Sequence, residues 1–435
     1  MTPAPLTAAE TRRSRPAPGD GSRGALYRLL LVVAGGFVAA YVTGVSRTVL
    51  VVVAIIVMIM LHELGHFVAA KWSGMKVTEY FLGFGPRLWS IRRGETEYGV
   101  KAIPAGGYVK IIGMSSMDAV DPADEARTYR QKPYRNRFAV GVAGSAVHFV
   151  LAFLILWVIF AVVGVADYGR PQIGSITSFE GGRSPAEEAG FELGDRLLAL
   201  DGRPIEDFGE VQDYIRERPG RSIAFTVERD GRRLDLDVVP ADLAAGTPEG
   251  LDIDRPDEPT GFVGIGATFP TATVGPVDAL GKAVSGLGRA SVDTVKALGA
   301  IFSPSGASSY GRQLVGGGDG GDGEPSPDDP RFLSPVGFVR VASQAADTGW
   351  LEVLTLLFSI NVFVGIFNMI PLLPLDGGHV AIATYERLRS RRGRRYHADI
   401  AKAMPVYYAV FLAIVFLGVT SLYLDVVKPI SNPFQ

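Results

Sequence analysis

Five long apolar runs constrain the fold of this 435-residue chain more than any other feature. They cover residues 29–46, 48–70, 138–166, 350–373 and 404–427. A helix of about 20 mostly apolar residues is long enough to cross the hydrocarbon core of a bilayer. Hydrophobic residues make up 47% of the chain and its mean hydropathy is +0.22, values that argue against a water-soluble globule. The runs therefore predict a polytopic α-helical membrane protein.

The first run is the weakest of the five, because it follows a leader that carries arginines between residues 12 and 28. A basic leader before an apolar run also fits a cleaved signal peptide. The leader is long, however, and Ala39-Ala40 is a poor cleavage site. We therefore expect a disordered Pro/Arg-rich leader at residues 1–24 and a retained N-terminal transmembrane helix at residues 25–47.

Basic residues between the runs predict the orientation of the chain. Residues 71–137 contain twelve Lys and Arg residues, and residues 386–403 contain seven. Loops rich in Lys and Arg stay on the cytoplasmic side of a membrane. With simple alternation, residues 167–349 and the C-terminus then lie outside. The net formal charge of −2 gives no sign of nucleic-acid binding. We expect the seven basic residues of 386–403 to enforce the topology and to contact anionic lipid.

The cytoplasmic-side segment at residues 73–137 mixes β-forming residues with glycines. This mixture predicts short strands joined by tight turns. The segment is unusually apolar for an aqueous loop, so we expect a β-rich re-entrant region that enters the membrane against the helices. Irregular backbone at that depth needs protein or a water-filled cavity around it.

A compact α/β module is predicted at residues 173–240, where short strands alternate with two helical stretches. Its runs Ser184-Pro185-Ala186 and Leu200-Asp201-Gly202 resemble the PDZ domain variant found in bacterial envelope proteases. PDZ domains bind peptides by adding a strand to a sheet edge. A spacer that binds no ligand is the alternative.

The rest of the outer segment, residues 241–349, is expected to consist of linkers and one amphipathic helix. Residues 241–260 and 303–330 have the composition of linkers. Between them, apolar residues recur at helical spacing from Val277 to Leu298. We expect this helix to lie on the outer face of the membrane.

The strongest chemical signal is the run His62-Glu63-Leu64-Gly65-His66, inside the second apolar run. Residues i and i+4 share one face of a helix, so both imidazoles can reach one zinc ion while Glu63 lies beside it as a base. Two histidines and a carboxylate in a membrane span cost several kcal/mol unless they are paired or bound to metal. Reading them as ordinary core residues would need three coincidences within five residues.

The chain has no cysteine, which excludes a disulfide framework, a thiolate zinc site and a cysteine nucleophile.

A catalytic zinc ion needs a third protein ligand and one open position. The candidates are His148, His379 and the acidic residues in or near the spans. Asp376 stands out by its depth in the membrane. It lies about 15 Å from the inner end of its segment, and the first histidine of the HExxH run lies about 12 Å from the inner end of the second apolar run. Pro371 and Pro374 would open the helix where a ligand and a substrate need access.

Two motifs together resemble the site-2 proteases, which are intramembrane zinc metalloproteases. The first is the HExxH run, and the second comprises Asn368, Pro371 and the run Pro374-Leu375-Asp376-Gly377-Gly378-His379. The resemblance covers about residues 48–427 and extends to the runs Gly83-Phe84-Gly85-Pro86 and Gly106-Gly107-Tyr108-Val109-Lys110. It is closest to the actinobacterial branch that cleaves anti-sigma factors.

The resemblance implies a core of about four transmembrane helices, to which the first run adds one, and a role for each matching residue. His62, His66 and Asp376 would be the zinc ligands, and Glu63 would be the general base. Asn368 would be a catalytic residue that holds the substrate or its oxyanion. The other matching positions would bind substrate: Gly83, Phe84, Gly85, Gly106, Gly107, Tyr108, Val109, Pro371 and Pro374.

The resemblance also implies a location and a substrate. The chain would be a multi-pass protein of a bacterial plasma membrane, with the PDZ-like domain on the extracytoplasmic side. Its partners would be the lipid bilayer and a single-pass transmembrane protein, an anti-sigma factor whose trimmed terminus binds the PDZ-like domain.

Two other functions stay open. One is a catalytically idle, PDZ-bearing zinc scaffold in the membrane, and the other is a metalloprotease for soluble peptides. Glu63 argues against the scaffold, because a structural zinc site has no need of a base. The depth of both motifs argues against the soluble substrate.

One corner departs from the family pattern. Gly-Pro-x-x-Asn is frequent at the start of the third span, whereas this chain has Gly144-Ser145-Ala146-Val147-His148. His148 would either replace the Asn as a polar group that links helices or bind the metal directly. His379 is expected near a helix start, and His397 in solvent within the basic loop. The spans after the first are expected at residues 48–72, 138–166, 350–385 and 404–427.

Overall fold

The computed structural model describes residues 21–114, 119–177, 183–205, 207–245, 258–315, 332–390, 396–398 and 400–428. Most of the expected leader, residues 316–330 of the expected linker and four arginines of the basic loop, at positions 391, 392, 394 and 395, lie outside the described residues. The chain divides into two compact units. The first comprises Met1–Trp157 and Gly281–Gln435, and the second is Val158–Leu280.

Helices and strands follow the apolar and alternating patterns of the sequence. The helices are α1 (Gly21–Val42), α2 (Ser46–Trp72), α3 (Tyr134–Val158), α4 (Pro185–Ala189), α5 (Phe208–Arg216), α6 (Pro276–Ile301), α7 (Pro304–Val315), α8 (Pro335–Thr348), α9 (Trp350–Phe367), α10 (Asp376–Arg389) and α11 (Met404–Val427). The strands are β1 (Val77–Arg93), β2 (Thr96–Ile111), β3 (Val165–Ala166), β4 (Gln172–Ile176), β5 (Arg196–Leu200), β6 (Arg203–Pro204), β7 (Ile223–Arg229), β8 (Arg232–Val238), β9 (Ala241–Asp242), β10 (Gly261–Phe262), β11 (Ile265–Thr268) and β12 (Thr271–Ala272).

Among the described helices, α1, α2, α3, α9 and α11 are long and apolar enough to cross a membrane. They correspond to the five apolar runs. Their surfaces are largely exposed apolar side chains, which suits contact with lipid rather than water. The prediction of a polytopic helical membrane protein is confirmed.

Two of the predicted spans end differently in the structure. The expected span 138–166 is α-helical only to Val158, continues as one π-helical turn (Ile159–Val163) and stops at Gly164, whose φ is 87°. The expected span 350–385 is not one helix, because α9 ends at Phe367 and α10 begins at Asp376. The break contains two prolines, which lack the N–H that a helix needs.

β1 and β2 form a bent hairpin between α2 and α3. The first half of β1, residues 79–82, pairs with both residues 97–100 and residues 107–110 of β2. Gly83 and Gly85 take positive φ angles of 84° and 81° where β1 bends. The prediction of several short strands is therefore wrong in its count, because the glycines bend two long strands without ending them.

Within the first unit, α8 packs against α2 and α9 through small side chains. Ala342, Ala345 and Ala346 of α8 share a buried cluster with Val51 and Met58 of α2. Small residues let helix backbones approach closely where no water drives association. This packing explains how α2 is supported on the side that faces the later part of the chain.

The prediction of a linker at residues 303–330 is wrong for its first part, which forms α7 (Pro304–Val315). The Tyr310 hydroxyl lies 2.8 Å from Thr420 Oγ1 on α11, and Lys428 Nζ donates to the Gln313 carbonyl at 3.1 Å. The Gly/Ser-rich composition favours a loop, but these long-range contacts stabilise a helix. α8 likewise lies in a segment that was expected to hold only linkers beside one amphipathic helix, and α6 is that amphipathic helix.

The second unit is an α/β module around one sheet. The strand order is β11-β4-β5-β7-β8, with β6 pairing to β5, and α4 and α5 contribute to the apolar core. Asp195, 1% exposed, accepts two hydrogen bonds of 2.7 Å from Arg229. The expected boundary at residue 240 is too early, because β11 completes the sheet and β9 pairs with β10.

Candidate metal and catalytic site

Three donor groups converge in the first unit, two from the C-terminal half of α2 and one from the start of α10. His62 and His66 lie one turn apart on α2, and their Nε2 atoms are 3.2 Å from each other. Oδ2 of Asp376, the first residue of α10, lies 3.1 Å from His66 Nε2 and 3.3 Å from His62 Nε2. Both imidazoles are buried, so the group faces inward between helices. Residues 310 positions apart in sequence thus share one site.

Asp376 reaches this place because the chain folds back tightly where α9 ends. The Asn368 carbonyl accepts a 2.7 Å hydrogen bond from the Gly377 N–H. A Cβ at Gly377 would lie 2.3 Å from the Met369 carbonyl oxygen, and one at Gly378 would lie 2.5 Å from the Leu373 nitrogen. Only glycine fits at either position, so the Asp-Gly-Gly run is required by the turn as well as by the ligand.

α3 closes the other side of the site by lying very near the two histidines. A Cβ at Gly144 would be 2.4 Å from His62 Cε1 and 2.5 Å from His66 Nε2. The Val140 carbonyl lies 2.7 Å from His66 Nδ1. A carbonyl only accepts, so His66 carries its proton on Nδ1 and leaves the Nε2 lone pair facing the site.

The donor set fits a zinc ion. Two imidazole nitrogens and one carboxylate oxygen are typical of catalytic zinc, which keeps a fourth position open for water or substrate. His62, His66 and Asp376 place one such atom each within 4.8 Å of the others. The missing side chain at Gly144 leaves the room that the group needs.

Glu63 lies between the two histidines along α2 and faces the hairpin. Its side chain lies beside Gly107 of β2. A Cβ at Gly107 would lie 3.2 Å from Glu63 Cγ and 3.0 Å from Met60 Sδ. The Tyr80 hydroxyl donates to the Met60 carbonyl at 2.6 Å. These contacts bring the last part of β2 beside Glu63.

The other expected substrate-binding residues lie in the hairpin and in the turn before α10. Tyr108 stacks on Phe81 and Phe84, with ring centroids 5.9 Å apart in each pair, and accepts from Lys101 Nζ at 2.7 Å. Burial and its hydrogen bond to Glu79 raise the pKa of Tyr108. Gly83, Gly85 and Gly106 lie at bends of the hairpin with positive φ, and Pro371 and Pro374 are exposed in the turn before α10.

His148 links two helices, as one of its two predicted roles requires. Its Nδ1 lies 2.8 Å from Asn361 Oδ1 on α9, and it is not among the residues whose donor atoms converge. Sequence reasoning missed Asn361, although an amide deep in an apolar run is costly without a partner and could have signalled one. His379 packs edge-on against Tyr129 with centroids 6.2 Å apart, and His397 is exposed.

The sequence of this chain matches a known protein family and several zinc metalloproteases. The family model described as Peptidase family M50 matches residues 50–314 and 324–414. The chain belongs to this family of site-2 proteases. It is 33% identical over 416 residues to the zinc metalloprotease Rip1 of Mycobacterium tuberculosis, covering 90% of this chain and 98% of that protein. Rip1 of Mycolicibacterium smegmatis is also 33% identical, over 413 residues, covering 88% of this chain and 98% of that protein.

Family membership and the apolar helices together define the class of the protein. The chain is a multi-pass membrane zinc metalloprotease of the M50 family. The expectation of a zinc enzyme is confirmed, and the converging His62, His66 and Asp376 are a group that can hold the metal.

Proposed function

We propose that this protease cuts a single-pass transmembrane protein within its bilayer segment, with zinc bound by His62, His66 and Asp376 and with Glu63 as the general base. The observation behind the proposal is the convergence of the three donor atoms within 4.8 Å. Two of them belong to α2, a helix long and apolar enough to cross a membrane, and Glu63 on the same helix supplies a carboxylate that a purely structural metal site would not need. A protease for soluble peptides would not need its site among helices that face lipid.

The chemistry divides between the metal and the side chains. Bound zinc would polarise the scissile carbonyl and increase the acidity of water at the site. Glu63 takes the proton from the attacking water and passes it to the leaving amine, which is the usual work of a general base. Asn368, at the end of α9, would donate its amide to the substrate carbonyl or to the oxyanion that forms from it.

Substrate presentation is the proposed task of the hairpin. A transmembrane helix hides its peptide bonds, so it has to be extended before it can be cut. Among the described residues, the end of β2 pairs on one side only, with β1, and a Cβ at its Gly107 would lie 3.2 Å from Glu63 Cγ. An extended substrate that adds to this edge would bring its backbone beside the base. The proposed re-entrant region, residues 73–137, would hold this edge at the depth of the site.

The second unit is proposed to be a PDZ-like domain on the extracytoplasmic side. β11 lies at one edge of its sheet and pairs only with β4 among the described strands, which leaves an edge for a peptide. The excess of Lys and Arg in residues 71–137 and 386–403 supports a cytoplasmic location for those segments, in a chain that would lie in a bacterial plasma membrane. The domain would admit anti-sigma factors whose outer portion has already been trimmed.

A reconstituted assay tests the proposal. Wild-type protein in liposomes receives a single-pass substrate with its outer domain either trimmed or intact, and mass spectrometry locates the cut. We expect cleavage of the trimmed form inside its apolar segment, and loss of cleavage when a chelator removes zinc. Cleavage of an unfolded soluble peptide in preference to the membrane substrate would contradict the proposal, and so would a cut outside the apolar segment.

A further inference from the structure

A buried polar pair lies beside the proposed metal ligands. His148 on α3 is 2% exposed and Asn361 on α9 is fully buried, and their Nδ1 and Oδ1 atoms are 2.8 Å apart. Asn361 Nδ2 donates to the Leu357 carbonyl at 2.8 Å and lies 3.0 Å from Met58 Sδ. Carbonyl and thioether atoms accept hydrogen bonds, so these contacts fix the amide orientation and turn its oxygen toward His148. His148 therefore donates from Nδ1, and its ring orientation is fixed.

The two histidines of the HExxH run are supported unequally. His66 donates from Nδ1 to the Val140 carbonyl at 2.7 Å. His62 Nδ1 is buried and has no hydrogen-bond partner among the described residues. Metal-binding histidines nearly always donate their second ring nitrogen to an acceptor, which fixes the orientation of the ring. Something else must therefore hold the His62 ring.

The His148 ring is the neighbour in position to do so. Its centroid lies 5.0 Å from that of His62, and the ring planes are tilted by 40°. The His66 ring contacts His62 edge-on at 4.8 Å, and a Cβ at Gly144 would lie 2.4 Å from His62 Cε1 and 2.6 Å from His62 Nε2. Removal of the His148 ring would leave a cavity next to His62, into which that imidazole could turn.

We propose that His148, fixed by Asn361, is a positioning residue that holds His62 in its metal-binding orientation in place of the missing hydrogen bond. The inference rests on the proposed ligand set. His148 stands where the chain departs from the Gly-Pro-x-x-Asn pattern. Its role would be to raise metal affinity through the contact between its ring and the His62 ring. Because Asn361 on α9 fixes the His148 ring, the position of α9 also affects the orientation of His62 on α2.

Metal titration of the full-length protein in detergent tests this role. Wild type, His148→Ala, Asn361→Leu and Ser145→Ala are stripped of metal and titrated with Zn²⁺, and separately with Co²⁺, whose visible spectrum reports ligand geometry. Ser145→Ala is the matched control, since Ser145 is a buried polar residue of α3 whose Oγ has no partner among the described residues. The Co²⁺ spectrum would not change if His148 were only a packing residue remote from the ligands.

We expect His148→Ala to weaken zinc binding about 10- to 100-fold, the range typical for residues that orient metal ligands, and to shift the Co²⁺ bands. Asn361→Leu keeps the ring but releases it, so we expect a smaller change in the same direction. Ser145→Ala should match wild type. If His148→Ala does not fold, Asn361→Leu carries the test by itself.

Two results would overturn the proposal. One is wild-type zinc affinity in both His148→Ala and Asn361→Leu. The other is a Co²⁺ spectrum that gains tetrahedral intensity in His148→Ala, because His148 would then be a ligand itself. His62→Ala, measured in parallel, separates this inference from the ligand set. Wild-type zinc affinity in His62→Ala would refute the ligand set, whereas its loss together with unchanged affinity in His148→Ala would refute only the positioning role.

Discussion

α2 and the α9–α10 segment deliver metal ligands to one site by opposite means. α2 is an unbroken helix of 27 residues, and its two histidines converge because they are four residues apart. The α9–α10 segment stops at Phe367 and resumes at Asp376, and its single ligand comes from the first turn of the new helix. One contribution is local, and the other depends on how distant elements pack.

The difference shows in what holds each element in place. α10 is tied to α3 by a buried ion pair, with Arg137 Nη1 2.5 Å from Glu386 Oε2 and both side chains at most 10% exposed. Glu386 also accepts the Ala398 N–H at 2.7 Å. The histidines of α2 need no such anchor along their own helix. The position of Asp376 should therefore be the more sensitive of the two to changes far from the site.

The largest expected effect comes from removal of the ligand on the broken segment. We predict that Asp376→Ala weakens zinc binding by more than about 100-fold, beyond the loss typical for residues that only orient ligands, and abolishes cleavage. Asp347→Ala, at an exposed position on α8, should keep both. Zinc per chain, measured by plasma mass spectrometry after dialysis, checks the pair. Full zinc content in Asp376→Ala would remove α10 from the ligand set.

The next largest effect is expected where α3 approaches the two histidines of α2. A methyl group at Gly144 would lie 2.4 Å from His62 Cε1 and 2.5 Å from His66 Nε2, closer than any real contact. We predict that Gly144→Ala lowers zinc affinity by about 10- to 100-fold, since it displaces the ligands without removing one. Gly418→Ala on α11, where a Cβ meets nothing within 4 Å, is the matched control. Equal zinc affinity in the two variants would contradict the close approach of α3.

The anchor of α10 should have a smaller effect, on stability first and on zinc second. Glu386→Gln leaves the buried Arg137 charge without its partner, and we predict a loss of about 3 kcal/mol in the free energy of unfolding. Zinc affinity should fall by less than in Gly144→Ala. Glu210→Gln, at an exposed position of α5, should change neither. Thermal unfolding and zinc titration of the two variants decide the point, and an unchanged unfolding temperature in Glu386→Gln would speak against the anchor.

The smallest expected effect lies in the turn of the hairpin. Hydrogen bonds from Arg127 and Lys71 lower the pKa of Glu95 to about 2. A carboxylate with a lowered folded pKa stabilises the protein above its ordinary pKa of about 4.3, and this stabilisation is lost as the pH falls toward 2. We predict that Glu95→Gln costs about 1 kcal/mol at pH 7. The difference from wild type should shrink steadily below pH 4, and a difference that does not depend on pH would refute the prediction.

The sequence was sufficient where a signal is local. Apolar runs predicted the long helices, and the spacing of His62 and His66 predicted that both face one site. Asp376 needed an argument from depth, because only tertiary packing brings it to α2. α7 and β11 could not be read from composition, since a Ser/Gly-rich helix and a short edge strand are stabilised by partners more than 80 residues away. Asn361 was missed because a single amide within an apolar run forms no repeating pattern.

The most direct test of Glu63 as the general base of a zinc site is a joint measurement on Glu63→Gln. Zinc per chain and cleavage of a single-pass membrane substrate are measured on the same preparation, beside wild type. We predict near-stoichiometric zinc with cleavage reduced by about 10²- to 10⁴-fold, because the variant keeps the ligands and loses the base. Cleavage at the wild-type rate would contradict the proposed role of Glu63 and, with it, the mechanism built on this site.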